Sequence, residues 1–362
     1  MVVRYKTGGL RPCYNLFQCR GSVLWRALTV ATPCAIFSAV LKMLIGLGAL
    51  QAGGIFGFMN WSEDQMLLLN NAPWTGFTSS VAFLVVFRTG QAYTRFTQAA
   101  ADCYAMRAQW LDVANALFAF TQHSKEAKAD IDMFKRRLVR LIGLLHACAL
   151  HELSMASATA QELQNVKSDL PDIHVPDVAG SFNLEDVKLL SSTRQRVTLV
   201  QHWVQVLIVQ AMKSGVLSIP PPICSRAIQQ IGNGKTAFHS ALKTATIPFP
   251  FPYCQTCNLL LIMHYLCTPI ILQSWVSSAT LSFGLSMMTV MSLWCLDYIA
   301  TDLEAPFLPG PNRLDLKELQ QQFLSELAVL IKPSADTPPS EVEAGGKETA
   351  KLLEFLGNLR EE

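Results

Sequence analysis

Apolar residues gather in four long runs, and stretches of helical periodicity mixed with charge lie between them. The runs cover 27–50 (interrupted by Pro33 and Lys42), 66–87, 257–275 and 276–296. A helix needs about 20 apolar residues to cross the hydrocarbon core of a bilayer. The third and fourth runs meet that length, and the second does so when counted from Leu67. In the first, Lys42 must reach an interface or face protein. Between the second and third runs, apolar positions recur at helical spacing among Arg107, Asp112, Lys125, Lys135, Arg136, Arg137 and Arg140. The stretches 133–150 and 193–212 are amphipathic. Breaks fall at 171–180 and at Pro220-Pro221-Pro222.

The predicted fold class is all-α and integral to a membrane, with four transmembrane helices and a large water-facing helical domain. The expected divisions are a cytoplasmic or stromal segment 1–26, transmembrane helices 1 and 2 within 27–87 and the water-facing domain 88–247. Transmembrane helices 3 and 4 follow within 248–299, then a helical segment 300–331 and a tail 332–362. Pro, Ser, Gly and acidic residues dominate 332–346, a composition typical of disorder. Leu352, Leu353, Leu356 and Leu359 have the spacing of a short amphipathic helix.

Composition agrees with lipid as the surrounding. Of 362 residues, 51% are hydrophobic and 15% charged, against about a quarter charged in soluble domains. Mean hydropathy is +0.28. A net charge of +2 creates no field that would draw nucleic acid. Its distribution is more telling. Residues 1–62 hold Arg4, Lys6, Arg11, Arg20, Arg26 and Lys42 with no acid, and 244–312 hold no Lys or Arg. Glu63 and Asp64 fall in the loop 60–65. The positive-inside rule then puts both termini and the middle domain on the cytoplasmic or stromal side. The basic, acid-poor beginning has some transit-peptide character, yet it runs straight into the first apolar run.

Candidate catalytic chemistry is sparse. The chain has no HExxH, GxSxG, P-loop or GxGxxG, and His146 and His151 lie five apart, a poor ligand spacing. Ten cysteines are scattered without a paired framework and read as small buried hydrophobes. Cys254 and Cys257 lack a second pair for zinc. No enzyme activity, metal or cofactor is expected.

The second run is unusually polar for a membrane segment. Ala72, Gly76 and Ser80 stack at i, i+4 and i+8, with Thr75 and Ser79 on the adjoining line and Phe77, Val81, Leu84 and Val85 on other faces. Two readings fit: a small-residue contact between helices, or one wall of a water-filled path for ions. Arg88, Tyr93 and Arg95 close the run, either as interfacial anchors or as an electropositive mouth that concentrates anions.

Here the residues resemble a known family. Phe87-Arg88-Thr89-Gly90-Gln91-Ala92-Tyr93-Thr94-Arg95 is similar to the bacterial and plant bestrophin signature, with Pro73 placed as the family's neck proline. Cys19-Arg20-Gly21-Ser22-Val23-Leu24, Ile247-Pro248, and Leu296-Asp297 through Glu304, Pro306 and Phe307 match in order, so the resemblance runs from about 11 to 331. It implies a homopentameric helical channel in a lipid bilayer for chloride and related anions, with bicarbonate as an alternative. The membrane would be a chloroplast thylakoid or a plasma membrane. The neck would be lined by Ala72, Gly76 and Ser80 together with Thr75, Ser79 and Phe83, the anions would be attracted by Arg88 and Arg95, and a cytoplasmic constriction would lie at Val216 and Leu217. The family's bulky neck residues are replaced by small ones at Ala72, Gly76 and Ser80. No acidic run follows Pro306-Phe307, so no calcium clasp is expected. A non-conducting scaffold of the same fold is the rival reading.

Overall fold

The computed structural model describes residues 21–47, 71–158 and 184–332. The first residues of the second run (66–70), the loop at 60–65, the break at 171–180, the tail beyond Lys332 and the 352–359 helix lie outside them. Within the described residues every regular element is helical. In chain order these are α1 (Val23–Gly46), α2 (Asn71–Phe120), a short 3-10 turn (Thr121–His123), α3 (Lys128–Ser157) and α4 (Leu184–Ser192). They continue with α5 (Arg196–Lys213), α6 (Pro221–Thr246), α7 (Phe251–Trp275), α8 (Ala279–Glu304) and α9 (Leu316–Ile331).

Local chemistry sets several of the boundaries. Pro221 and Pro222 open α6 and Pro252 sits in the first turn of α7, where the missing N–H costs nothing and the fixed φ suits the helix. The Ser278 side chain accepts from Leu281 N at the start of α8, and Asp315 accepts from Glu318 N at the start of α9. Each satisfies one of the free N–H groups of a first turn. Gly215 adopts φ 86° after α5, a backbone conformation for which glycine carries no steric penalty.

Among the described residues, four helices are long and apolar enough to cross a membrane: α1, α3, α7 and α8. Three of them are expected spans. The fourth, α3, is apolar for a different reason, because 72% of its most apolar stretch is covered by protein, against 22–33% for the others. Hydropathy cannot separate a helix buried in a protein core from one buried in lipid, and here packing does so. The described part of the second expected span, 71–87, forms the N-terminal part of α2. The expected divide at residue 88 falls inside that continuous helix.

Two apolar regions result. In one, α8 packs along α1 and also meets α2 and α7. Val81 and Val85 of α2 close on Leu261 and Leu293, and Ala31 and Cys34 of α1 close on Val290. Large apolar side chains on the outer faces of α1, α7 and α8 stay uncovered, among them Phe37, Met43, Leu259, Leu266, Leu281 and Met288. The other region is a single large core made by the C-terminal half of α2 with α3, α5, α6 and α9.

Several polar groups inside the apolar helices are paired. Ser38 and Ser282 share a 2.7 Å hydrogen bond, and Gln273 Nε2 donates to Ser38 Oγ at 3.2 Å. Lys42 faces protein, and its Nζ donates to Gln273 O at 2.8 Å. That oxygen is one of the last carbonyls of α7, at the negative end of its dipole. The eight described cysteines are free thiols.

Candidate ion path along α2

α2 has two contrasting long edges. Val81, Val85, Arg88, Ala92, Ala99, Met106 and Trp110 are buried against the chain's own helices. Ala72, Thr75, Gly76, Ser79, Ser80 and Phe83 are all exposed, and so are Gly90, Thr94 and Ala101 farther along. A Cβ placed on Gly76 or Gly90 meets nothing within 4 Å. Among the described residues, packing within the chain does not consume the small-residue stripe. Phe83, 70% exposed, is a bulky apolar ring on this edge.

Helical spacing accounts for the separation. Trp74 and Phe77 belong to the packed side and lie against α7. The Trp74 ring stacks on His264 at 5.2 Å and 17°, and Phe77 lies 6.4 Å from the same imidazole. His264 is 1% exposed, with Nδ1 3.4 Å from the Thr268 hydroxyl and Nε2 without a partner. On the free edge, Ser80 donates its hydroxyl proton to Gly76 O at 2.9 Å. It offers the exposed side an oxygen acceptor, and it can donate outward only by turning about χ1.

Arg88 departs from its expected role. Its side chain is 3% exposed; Nη1 donates to Asp297 at 2.5 Å, and Nε and Nη2 donate to Glu304 at 2.7 and 3.2 Å. Two carboxylates more than balance one guanidinium, so no positive field remains to draw anions. A buried cation requires such counter-charge. Asp297 and Glu304 sit seven apart on one face of α8, and that spacing of two acids on a largely apolar helix is the signal that could have identified the partner. Beside the triad, Thr89 Oγ1 donates to Leu296 O at 3.2 Å and the Tyr253 hydroxyl to Leu84 O at 2.9 Å. The three contacts fasten α2 to α7 and α8.

Arg95 bonds to backbone carbonyls. Nη2 donates to Thr244 O and Ile247 O at 2.9 and 2.8 Å, at the C-terminal end of α6. Among the described residues it forms no ion pair. Val216 and Leu217 are corrected more fully. They are 6% and 2% exposed and belong to the large core. After the turn at Gly215 the chain folds back, with Leu217 N donating to Ala211 O at 3.0 Å, and both side chains enter the interior. A constriction needs side chains on an open face, and these two have none.

His146 is a core residue. Gln320 Nε2 donates to Gly143 O at 3.1 Å, which turns Gln320 Oε1 toward His146 Nδ1 at 2.5 Å. Nδ1 therefore carries the proton of the neutral ring. Burial pulls its pKa from 6.5 down to about 4, with Arg107 adding to the effect and the Gln320 bond opposing it. Among the described residues, no three His, Cys, Asp or Glu side chains cluster as metal ligands.

The profile of a family described as Bacterial/Fungal Bestrophin protein matches residues 1–329. No curated protein matches. A crystallised variant of a bacterial bestrophin homologue from Klebsiella pneumoniae superposes with a TM-score of 0.64 at 15% identity, over 85% of this chain and 99% of that one. A second variant of the Klebsiella pneumoniae homologue gives 0.63 at 16% identity, over 86% and 99%. A structure described only as a membrane protein gives 0.63 at 16% identity, over 82% and 98%. At these identities the structural likeness is one of fold.

Proposed function

The chain belongs to the bacterial/fungal bestrophin family, a family of membrane anion channels, and from that premise we propose that it is one subunit of a homopentamer conducting chloride and related monovalent anions, bicarbonate among them. In this reading five copies of α2 surround one axis and turn their free edges toward it. The observation that carries it is that edge: Ala72, Gly76 and Ser80 are in register, open, and unclaimed by any described helix of the same chain. In a membrane, an uncovered polar edge requires either water or another polar surface. A ring of such edges encloses water.

Small side chains at three successive turns leave an ion much of its hydration, and Phe83 supplies the narrow, apolar ring where water is least stable. Arg95 replaces the Arg88–Arg95 pair as the source of positive potential near the water-facing end. Arg88 serves to lock α2 to α8. We assign no constriction to Val216 or Leu217.

Recording in planar bilayers tests the proposal. Native protein should give reproducible anion-selective steps, and Gly76→Phe should cut conductance sharply by narrowing the path. Intact native oligomers without current would identify a non-conducting scaffold, and undiminished current in Gly76→Phe would take the stripe out of the pore. Reversal potentials after replacing chloride by bicarbonate rank the two ions.

A further inference from the structure

The open edge of α2 does not stop where the apolar run ends. Gly76, Thr94 and Asp112 follow one another at intervals of 18 residues, five whole turns at 3.6 residues per turn, so the three stand on one line along the helix. Burial agrees with that register. All three are exposed, whereas Val85 and Cys103, half a turn around from the line, are 0% and 2% exposed. Of the exposed side chains described on α2, Asp112 is the one that carries a charge. Arg88 is buried with its two acids, and Arg107 pairs with Glu326. Gln230 of α6 donates from Nε2 to Asp112 Oδ2 at 2.5 Å. That amide is neutral, so it fixes the carboxylate in place without balancing its charge. Among the described residues no cation forms an ion pair with Asp112. Arg95 lies about 25 Å back along the rod, well beyond a Debye length of about 8 Å at physiological salt.

We infer that Asp112 limits the flow of anions from the water-facing side: in the proposed oligomer one carboxylate from each subunit stands at the same level, about 54 Å along the axis from Gly76, and lowers the local anion concentration there. The inference rests on α2 lining the path. Arg226, one turn before Gln230 on α6, is also exposed. Potentials add, so removing the carboxylate raises the potential on the path whatever Arg226 contributes. Asn is the informative exchange, because its side-chain oxygen still accepts from Gln230 while the charge is gone. Salt is the second variable. A fixed charge acts over about 30 Å at 0.01 M salt and over about 3 Å at 1 M.

Single-channel conductance in planar bilayers tests this, with oligomer integrity checked by size-exclusion chromatography for each variant. Asp112→Asn should raise conductance about two-fold in about 0.01 M chloride salt and leave it at the native value in about 1 M. Asp112→Lys should raise the low-salt value further and converge with the others at high salt. Ala108 is exposed on the same edge, one turn nearer the membrane. Ala108→Glu adds a charge where Asp112→Asn removes one, so it should lower the low-salt conductance, and it carries the test where Asp112→Asn does not assemble. Native low-salt conductance in an assembled Asp112→Asn overturns the inference, and so does native low-salt conductance in Ala108→Glu. A gain in Asp112→Asn that persists undiminished at high salt also overturns it, since a change of shape and not of charge would then be at work. Gly76→Phe is the control. If it blocks current while Asp112→Asn and Ala108→Glu conduct as the native protein does, the pore reading holds and the role of Asp112 fails. If it leaves current unchanged, the pore reading itself fails and takes this inference with it.

Discussion

Gly234 faces the Trp110 indole so closely that a methyl group added there would overlap the ring. Trp110 is 1% exposed and its Nε1 donates to Ile231 O at 3.4 Å, so it cannot swing aside without losing that bond. Gly234→Ala should therefore cost about 1–3 kcal/mol of stability through overpacking. A melt of the solubilised protein measures it, and an unchanged midpoint would mean that α6 slides without cost. His146 makes a prediction about pH. Its folded pKa is about 4 against 6.5, so between those values the unfolded chain holds more protons. Stability from this group is complete above pH 6.5 and is lost as pH falls toward 4, a limb of about 3 kcal/mol for a shift of that size. His146→Gln should flatten that limb in a series of melts across the range. Neither environment was readable from sequence. The amphipathic stretch 133–150 includes His146, but Ile231 and Gln320, the partners of Trp110 and His146, lie on helices 121 and 174 residues away.

Among elements, α2 carries the largest share of the consequences. Its triad with Asp297 and Glu304 joins it to α8 at the level where the apolar run ends. Arg88→Ala leaves two mostly buried carboxylates facing each other, and loss of one partner of a buried pair costs about 3–5 kcal/mol. We expect that variant to yield little assembled protein, with any surviving channels keeping their anion preference. Arg95→Ala should behave oppositely. Its bonds go to two carbonyls at a helix end, so the protein should assemble while anion-over-cation selectivity falls in reversal-potential measurements. A loss of selectivity in Arg88→Ala with none in Arg95→Ala would reverse these assignments. The sequence identified both arginines as members of a boundary. It could not divide their roles, since the division depends on which neighbour supplies a carboxylate and which supplies a carbonyl. Val216 and Leu217 illustrate the same limit, because their inward turn follows from the left-handed Gly215.

At the scale of the molecule, α1, α7 and α8 were legible because each is a long apolar run, and the second run was legible through its polar stripe. The apolarity of α3 carries no comparable message about lipid until its covering helices are seen. The uncovered apolar faces of α1, α7 and α8 suit lipid, and the open edge of α2 is the surface that the proposed pentamer would complete. Crosslinking of detergent-purified protein should accordingly give a ladder that ends at five subunits, and a ladder ending elsewhere would remove the pentamer. α2 itself runs for 50 residues without interruption, about 75 Å at 1.5 Å per residue. The one rod reaches from Phe120 in the large core to Ser80 on the open edge, about 60 Å away. The Arg88 triad and the large core hold it along that length, so the two apolar regions share a single axle.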